Sequence, residues 1–230
     1  MFSSPCNPSG AVYSKDELTA LAEVFKKHPH VFIMSDEIYE HIIFDGRHES
    51  IAQFDFLKDR VIIINGLSKG FAMTGWRLGY IAGPVTIAKA TDKLQGQFTS
   101  ATCSITQRAA IVALTGDLRP TQIMVEEFKK RRKRVLELIS ETPGLVCSEP
   151  PGAFYVFPDV HSHFGKTTPS GNVISDADDL CMYLLNDAHI SSVSGKAFGE
   201  PNCIRLSFAN SIENLEKGFV KIKNALSALK

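Results

Sequence analysis

The feature that most constrains this chain is a pair of short, continuous apolar runs, each stopping abruptly at residues that carry chemistry. Val31-Phe32-Ile33-Met34 runs into Ser35-Asp36-Glu37, and Val61-Ile62-Ile63-Ile64 runs into Asn65-Gly66-Leu67-Ser68-Lys69. Uninterrupted apolar runs of this length are expected of strands buried on both faces, as a parallel sheet flanked by helices requires. Leu78 to Ala82 reads as a third strand. Ligand sites in open α/β sheets lie beyond the carboxyl ends of the strands, where Asp36 and Lys69 both stand.

Helical segments separate and follow these strands. Ser14 is an N-cap with Glu17 three residues on, and Leu18, Leu21, Ala22 and Phe25 form an apolar stripe, so a helix is expected over 14–27, after the turn-like Asn7-Pro8-Ser9-Gly10. Ser104 to Leu114 and Thr121 to Ser140 read as two more helices. After Pro143-Gly144 the pattern changes to short strands around Val156 and over Ile204 to Phe208, with helices near 176–188 and 212–229, an α+β grouping. The domain change is expected in or near the long helix.

The charge balance narrows the partners. With 25 basic and 25 acidic residues there is no net field to draw in nucleic acid or an anionic membrane. The run Lys129-Lys130-Arg131-Arg132-Lys133-Arg134 reads as a solvated helix face paired with Glu126 and Glu127 at helical spacing, not a nucleic-acid patch. No apolar stretch approaches the ~20 residues that span a bilayer, and no signal-peptide pattern opens the chain. A cytoplasmic location follows as the expectation. Five scattered cysteines, without the close pairs of zinc sites, point to a reduced, metal-free chain; His28/His30 and His161/His163 are H-x-H pairs that lack a completing ligand.

The segment after the second run is the most informative. Lys69 alone reads as a loop lysine at a strand end. The continuation Gly70-Phe71-Ala72-Met73-Thr74-Gly75-Trp76-Arg77-Leu78-Gly79 returns an arginine to the same end of the sheet. A lysine, an arginine and an acid at neighbouring strand ends suit an anionic cofactor, and a phosphate bearing an aldehyde would use all three.

These residues carry a resemblance. Asn7-Pro8-Ser9-Gly10, Ser35-Asp36-Glu37-Ile38-Tyr39, Ser68-Lys69 through Arg77-Leu78-Gly79, and Ile204-Arg205-Leu206-Ser207-Phe208-Ala209 occur in the order found in the fold type I, pyridoxal-phosphate-dependent aminotransferases, and the chain most resembles the aspartate aminotransferase-like class I/II branch. The resemblance implies an α/β chain of that fold: residues 1–122 as the C-terminal part of a large cofactor domain with a mostly parallel sheet, and 123–230 as a connecting helix and a small α+β domain. It implies pyridoxal 5'-phosphate as cofactor, ping-pong amino transfer between an amino acid, aspartate first, and a 2-oxo acid, and a homodimer at full length.

The resemblance also assigns roles. Lys69 is implied as the Schiff-base lysine and proton-transfer base, a role that needs a neutral amine. Asp36 is implied as the partner of the pyridine nitrogen, with a strand-end helix cap as the plainer alternative. Asn7 and Tyr39 are implied at the cofactor's ring oxygen, although Tyr39 alone also reads as a packing residue. Ser68 and Arg77 are implied as phosphate ligands. Arg205, in the apolar strand Ile204-Arg205-Leu206, is implied as the clamp for the substrate α-carboxylate, with a structural salt bridge as the alternative. Trp76, the only tryptophan, is expected to pack.

Two features depart from the family pattern. Met1-Phe2-Ser3-Ser4-Pro5 reads as a strand already under way, so the chain is expected to begin inside a longer fold and to hold the cofactor weakly by itself. Val193-Ser194-Gly195-Lys196-Ala197-Phe198-Gly199 has Ser194 where the family usually has proline and Lys196 where it has a small or acidic residue, which bears on substrate preference. A truncated or regulatory aminotransferase-like domain without catalysis, and a pyridoxal-phosphate-dependent carbon–sulfur lyase of the same fold, are the rival expectations.

Overall fold

The computed structural model describes residues 1–230, which group by their internal contacts into two compact units. Unit 1 comprises Met1–Cys6, Ala11–Val125 and Pro151–Ala153; unit 2 comprises Asn7–Gly10, Glu126–Pro150 and Phe154–Lys230.

Unit 1 is built on a four-stranded sheet. In chain order its elements are β1 (Phe2–Ser3), α1 (Lys15–Lys26), β2 (Ile33–Asp36), β3 (Val61–Gly66), β4 (Gly79–Ala82), α2 (Val85–Phe98) and α3 (Ser104–Thr115). The strands lie in the order β1-β2-β3-β4; β1, β2 and β3 run parallel, and β4 returns antiparallel with Gly79 opposite Gly66. The sheet is therefore mixed but mostly parallel, as expected. Helix α1 starts at the expected capping box: the Glu17 N–H donates to Ser14 Oγ, and Glu17 Oε2 accepts the Ser14 N–H at 2.8 Å. Its stripe seats Leu18 and Ala22 in a core with Ile33, Ile51, Leu57 and Val61.

Three details differ from the sequence expectation. Strand β2 starts two residues late and runs through Ser35 and Asp36, which pair with Ile63 and Ile64, because the ladder uses backbone groups whatever the side chain. The strand is also not covered on both faces: Ile33 is buried, but Phe32 and Met34 are exposed, since α1 and the 51–57 turns cover one side only. Helix α2 has no counterpart in the sequence reading. None of its side chains is buried among the residues of this chain.

The long helix α4 (Arg119–Ser140) passes from one unit into the other. Its basic run is not wholly a solvated face. Lys130 pairs with Glu127, and Arg134 with Glu216 and Glu137, but Arg132 is only 5% exposed and donates to the Pro150 carbonyl at 2.9 Å while pairing with Glu149. Helical geometry turns one residue of such a run inward every turn or so.

Unit 2 holds β5 (Tyr155–Val156), α5 (Ala177–Ala188), β6 (Val193–Ser194), β7 (Ile204–Ser207) and α6 (Ile212–Ser227), with an antiparallel sheet in the order β5-β7-β6. The aromatic core pairs Phe128 with Phe154 and Phe208. Asp176 caps α5 by accepting the N–H groups of Asp178 and Asp179, and Ser211 caps α6. No helix is long and apolar enough to cross a membrane.

Candidate functional site

The sheet of unit 1 gathers the sequence-predicted residues at one edge. Because β1, β2 and β3 are parallel, their carboxyl ends coincide, and because β4 is antiparallel it begins at that same edge. Asp36 ends β2, Ser68 and Lys69 follow β3, and Arg77 precedes β4. The turn that joins β3 to β4 is tight: a Cβ on Gly66 would lie 2.7 Å from the Leu78 carbonyl oxygen, and one on Gly70 would lie 2.7 Å from the His41 ring. Gly66, faced by backbone, therefore needs glycine for close approach, whereas a side chain at Gly70 would have to displace the His41 ring.

Within this edge Lys69 Nζ lies over the buried Tyr39 ring, 5.9 Å from its centroid. That is a weak cation–π distance, but it points the amine toward the tyrosine that follows β2. Asp36 Oδ1 accepts the Ile38 N–H at 3.1 Å and the Asp36 carbonyl accepts the Ser4 N–H, so the carboxylate is tied at the strand end. Arg77 adopts the left-handed region at φ 53° and its guanidinium donates to the Thr74 carbonyl, which leaves the head exposed. Trp76, expected to pack, is 46% exposed, because it closes the single 3₁₀ turn 74–76 at the sheet rim.

Unit 2 holds the other two predicted residues, Asn7 and Arg205. Arg205, on β7, donates from Nη1 to Asn7 Oδ1 at 2.8 Å. Its guanidinium also sits 4.7 Å from the Tyr155 ring centroid and 5.2 Å from that of Phe198. Two aromatic rings and one amide thus hold a planar cation without a carboxylate, and the structural salt bridge weighed from the sequence is not what fixes it. Asn7 commits its carbonyl oxygen to Arg205 and keeps its amide N–H groups as donors.

Tyr155 and Phe198 were not singled out by sequence reasoning. Phe198 was visible only as part of the Val193–Gly199 motif, and Tyr155 opens a two-residue strand directly after Phe154, too short to show a pattern. Lys196, which the sequence flagged for substrate preference, turns to Asp176 at 2.6 Å and Asp178 at 3.0 Å. These hydrogen bonds, Asp176 first, raise its pKa above the ordinary lysine value and hold it charged. The ammonium therefore braces the 195–198 turn against the start of α5.

A second cluster at the β2 end was also missed. Glu37 is 4% exposed and accepts from Ser35 Oγ, Ser50 Oγ and His48 Nε2. Glu40 accepts from Asn65 Nδ2 at 2.7 Å. One ligand atom each from Glu37, Glu40 and His48 lie within 4.8 Å of one another, but both carboxylates are already engaged by neighbouring donors.

Comparison with known proteins bears on the whole chain. The family model described as aminotransferase class I and II matches residues 1–222. A bifunctional aspartate aminotransferase and glutamate/aspartate-prephenate aminotransferase of Petunia hybrida is 44% identical over 99% of this chain and 48% of its own length. The aspartate aminotransferase of Rhizobium meliloti is 42% identical over the full chain and 56% of the relative. Among solved structures, an aspartate aminotransferase from Rhizobium meliloti superposes with a TM-score of 0.94 at 43% identity, covering 100% of this chain and 58% of that one. An aromatic aminotransferase from Pyrococcus horikoshii superposes at 0.88 and 35% identity, covering 98% and 59%. The chain spans about half the length of the curated relatives it matches.

Proposed function

The chain belongs to the class I and II aminotransferases of the α/β, fold type I class, and on that premise we propose that it carries the lysine-bearing part of a pyridoxal-phosphate-dependent aminotransferase acting on an amino acid, aspartate first, and a 2-oxo acid. The observation that carries this reading is the sheet edge itself. An amine (Lys69), a carboxylate (Asp36), a guanidinium (Arg77) and a hydroxyl (Ser68) meet at the carboxyl ends of β2 and β3 and the start of β4. That donor set fits a phosphorylated pyridine aldehyde group by group: amine for aldehyde, carboxylate for ring N–H, guanidinium and hydroxyl for phosphate.

When bound, pyridoxal phosphate supplies the electron sink that lets an amino acid lose its α-proton. Lys69 would be the group that takes and returns that proton, and its place three residues past the end of β3 keeps the amine near the sheet edge. Asp36 would keep a proton on the pyridine nitrogen by its negative charge, and the Ile38 N–H holds one of its oxygens at the strand end. Arg77 and Ser68 would hold the cofactor's phosphate. Tyr39 and the amide of Asn7 would donate to its ring oxygen.

Arg205 binds the substrate α-carboxylate. With its plane held between Tyr155 and Phe198, it meets a carboxylate without first losing side-chain freedom. Lys196 adds no charge to that clamp, since Asp176 and Asp178 occupy it. A cytoplasmic location and a homodimeric assembly belong to this reading, supported by five free cysteines and by the family.

The test is a coupled assay on the full-length protein loaded with pyridoxal phosphate. Oxaloacetate formation from aspartate that depends on added 2-oxoglutarate supports the proposal. Pyruvate release from cystathionine without oxo-acid-dependent transfer would make the protein a lyase, and cofactor binding with neither activity would make it a regulatory domain.

A further inference from the structure

Beyond the residues that would touch cofactor, the end of β2 contains a buried carboxylate with no assigned task. Glu37 follows Asp36, and its N–H continues the ladder by donating to the Ile64 carbonyl at 2.9 Å. Strand alternation puts Ser35 and Glu37 on one face and Asp36 on the other. The Glu37 face is the sealed one: Ser35 is 1% exposed and Glu37 4%.

Charge in such a place must be satisfied, and here it is. Oε1 accepts Ser35 Oγ at 2.9 Å and Ser50 Oγ at 2.8 Å, while Oε2 accepts His48 Nε2 at 2.9 Å. Two of these donors come from the 48–50 segment, eleven and thirteen residues further on, so the carboxylate pins a returning loop to the strand end. His48 Nδ1 is buried with no partner, which leaves the Nε2–Glu37 bond as the ring's polar anchor. Rotating the peptide between residues 36 and 37 would pull a buried carboxylate off all three donors, a costly step in a dry environment.

We infer that Glu37 and His48 are positioning residues that fix the direction of the Asp36 carboxylate from the opposite face of β2. The inference rests on the reading of Asp36 given above. Asp36 is then held from two sides: by the Ile38 N–H at its own oxygen, and by the Glu37 anchor through one peptide unit. The arrangement supplies the rigidity that a carboxylate needs to hold a proton on a ring nitrogen instead of following it.

The experiment uses the full-length protein with pyridoxal phosphate as probe. Wild type, Glu37→Gln, His48→Gln, His48→Ala and Ser50→Ala are compared for cofactor dissociation constant, for the pH midpoint of the bound cofactor's visible band, and for urea midpoint. A ring nitrogen less firmly protonated withdraws fewer electrons, so the band's pH midpoint should rise. His48→Ala is expected to weaken cofactor binding about 10-fold, the equivalent of one charge-assisted hydrogen bond, and to raise that midpoint by about half a unit or more. His48→Gln, which restores a donor, should recover part of both. Ser50→Ala removes one donor and keeps the fold testable if His48→Ala does not fold; it should show the same shifts, smaller. Lowered urea midpoints with wild-type dissociation constant and band midpoint would overturn the inference, because they show a purely structural network. A wild type without any visible band overturns the cofactor reading as well, whereas a normal wild type with unchanged variants sinks only the positioning role.

Discussion

Gly195→Ala tests whether the loop that carries Phe198 is built as tightly as the geometry indicates. Gly195 is buried, its N–H donates to the Cys203 carbonyl at 2.7 Å, and its own carbonyl accepts the Glu200 N–H at 3.0 Å. An added Cβ would overlap the Glu200 carbonyl oxygen and lie 2.6 Å from that of Cys203. Both obstacles are backbone, so neither can swing aside as a flexible side chain would. Relief requires moving the β6–β7 connection, which combines overpacking of about 1–3 kcal/mol with the loss of a backbone hydrogen bond of about 1 kcal/mol. Together the cost is about 2–4 kcal/mol, or about 4–16 °C in Tm for a domain of this size. Circular dichroism melts and urea titrations of wild type and variant measure it. Phe198 lies next to Arg205, so KM for the amino-acid substrate should rise with the same substitution. A Tm within about 2 °C of wild type would refute the reasoning, since a change of about 0.5–1 kcal/mol cannot accommodate that overlap.

Three further outcomes follow from the structure. Arg205→Lys keeps the charge but loses the planar fork that lies against Tyr155 and Phe198; kcat/KM for aspartate should fall about 10–150-fold, corresponding to about 1.5–3 kcal/mol, with a smaller loss of cofactor affinity. The exposed Cys103 has its thiol pKa lowered by hydrogen bonds from the Thr106 and Ile105 N–H groups, whereas burial pushes Cys203 up to about 11; timed iodoacetamide labelling at pH 8 with peptide mapping should find Cys103 modified first and Cys203 among the last. Burial, and then the nearby Lys166, lower the pKa of His163, so its neutral form is favoured when folded. Its contribution to stability is present above the unfolded value of about 6.5 and is lost as pH falls through the lower folded value. The urea midpoint should therefore drop between pH 7.5 and 5 by more in wild type than in His163→Gln, and equal drops would contradict the assignment.

How much of this was legible in the sequence depends on the kind of signal. The two parallel strands were readable because apolar runs break sharply at Ser35 and Asn65, just ahead of Asp36 and Lys69, and the capping box at Ser14 and Glu17 fixed the start of α1. The exact span of β2 was not, because Ser35 and Asp36 pair with β3 through backbone groups that the polarity pattern does not report. The two-residue β6 was missed because it is too short to show a period, and helix α2 went unread although Ile87, Leu94 and Phe98 recur at helical spacing. Arg205 stood out as a charge inside an apolar strand. Its contacts did not: Asn7 was marked for another role, and Tyr155 and Phe198 were not marked at all, because the three come from separate stretches that only the folded chain assembles. The Glu37 network escaped for the same reason, because nothing in His48 or Ser50 by itself marks a return to β2.

The central claim is that the lysine at the end of β3 is the one that holds the cofactor. The full-length protein, incubated with pyridoxal phosphate, reduced with borohydride, digested and mapped by mass spectrometry, is predicted to carry a stoichiometric pyridoxyl group on Lys69 that Lys69→Arg abolishes. Modification spread over surface lysines, or seated on another lysine in both proteins, would contradict it.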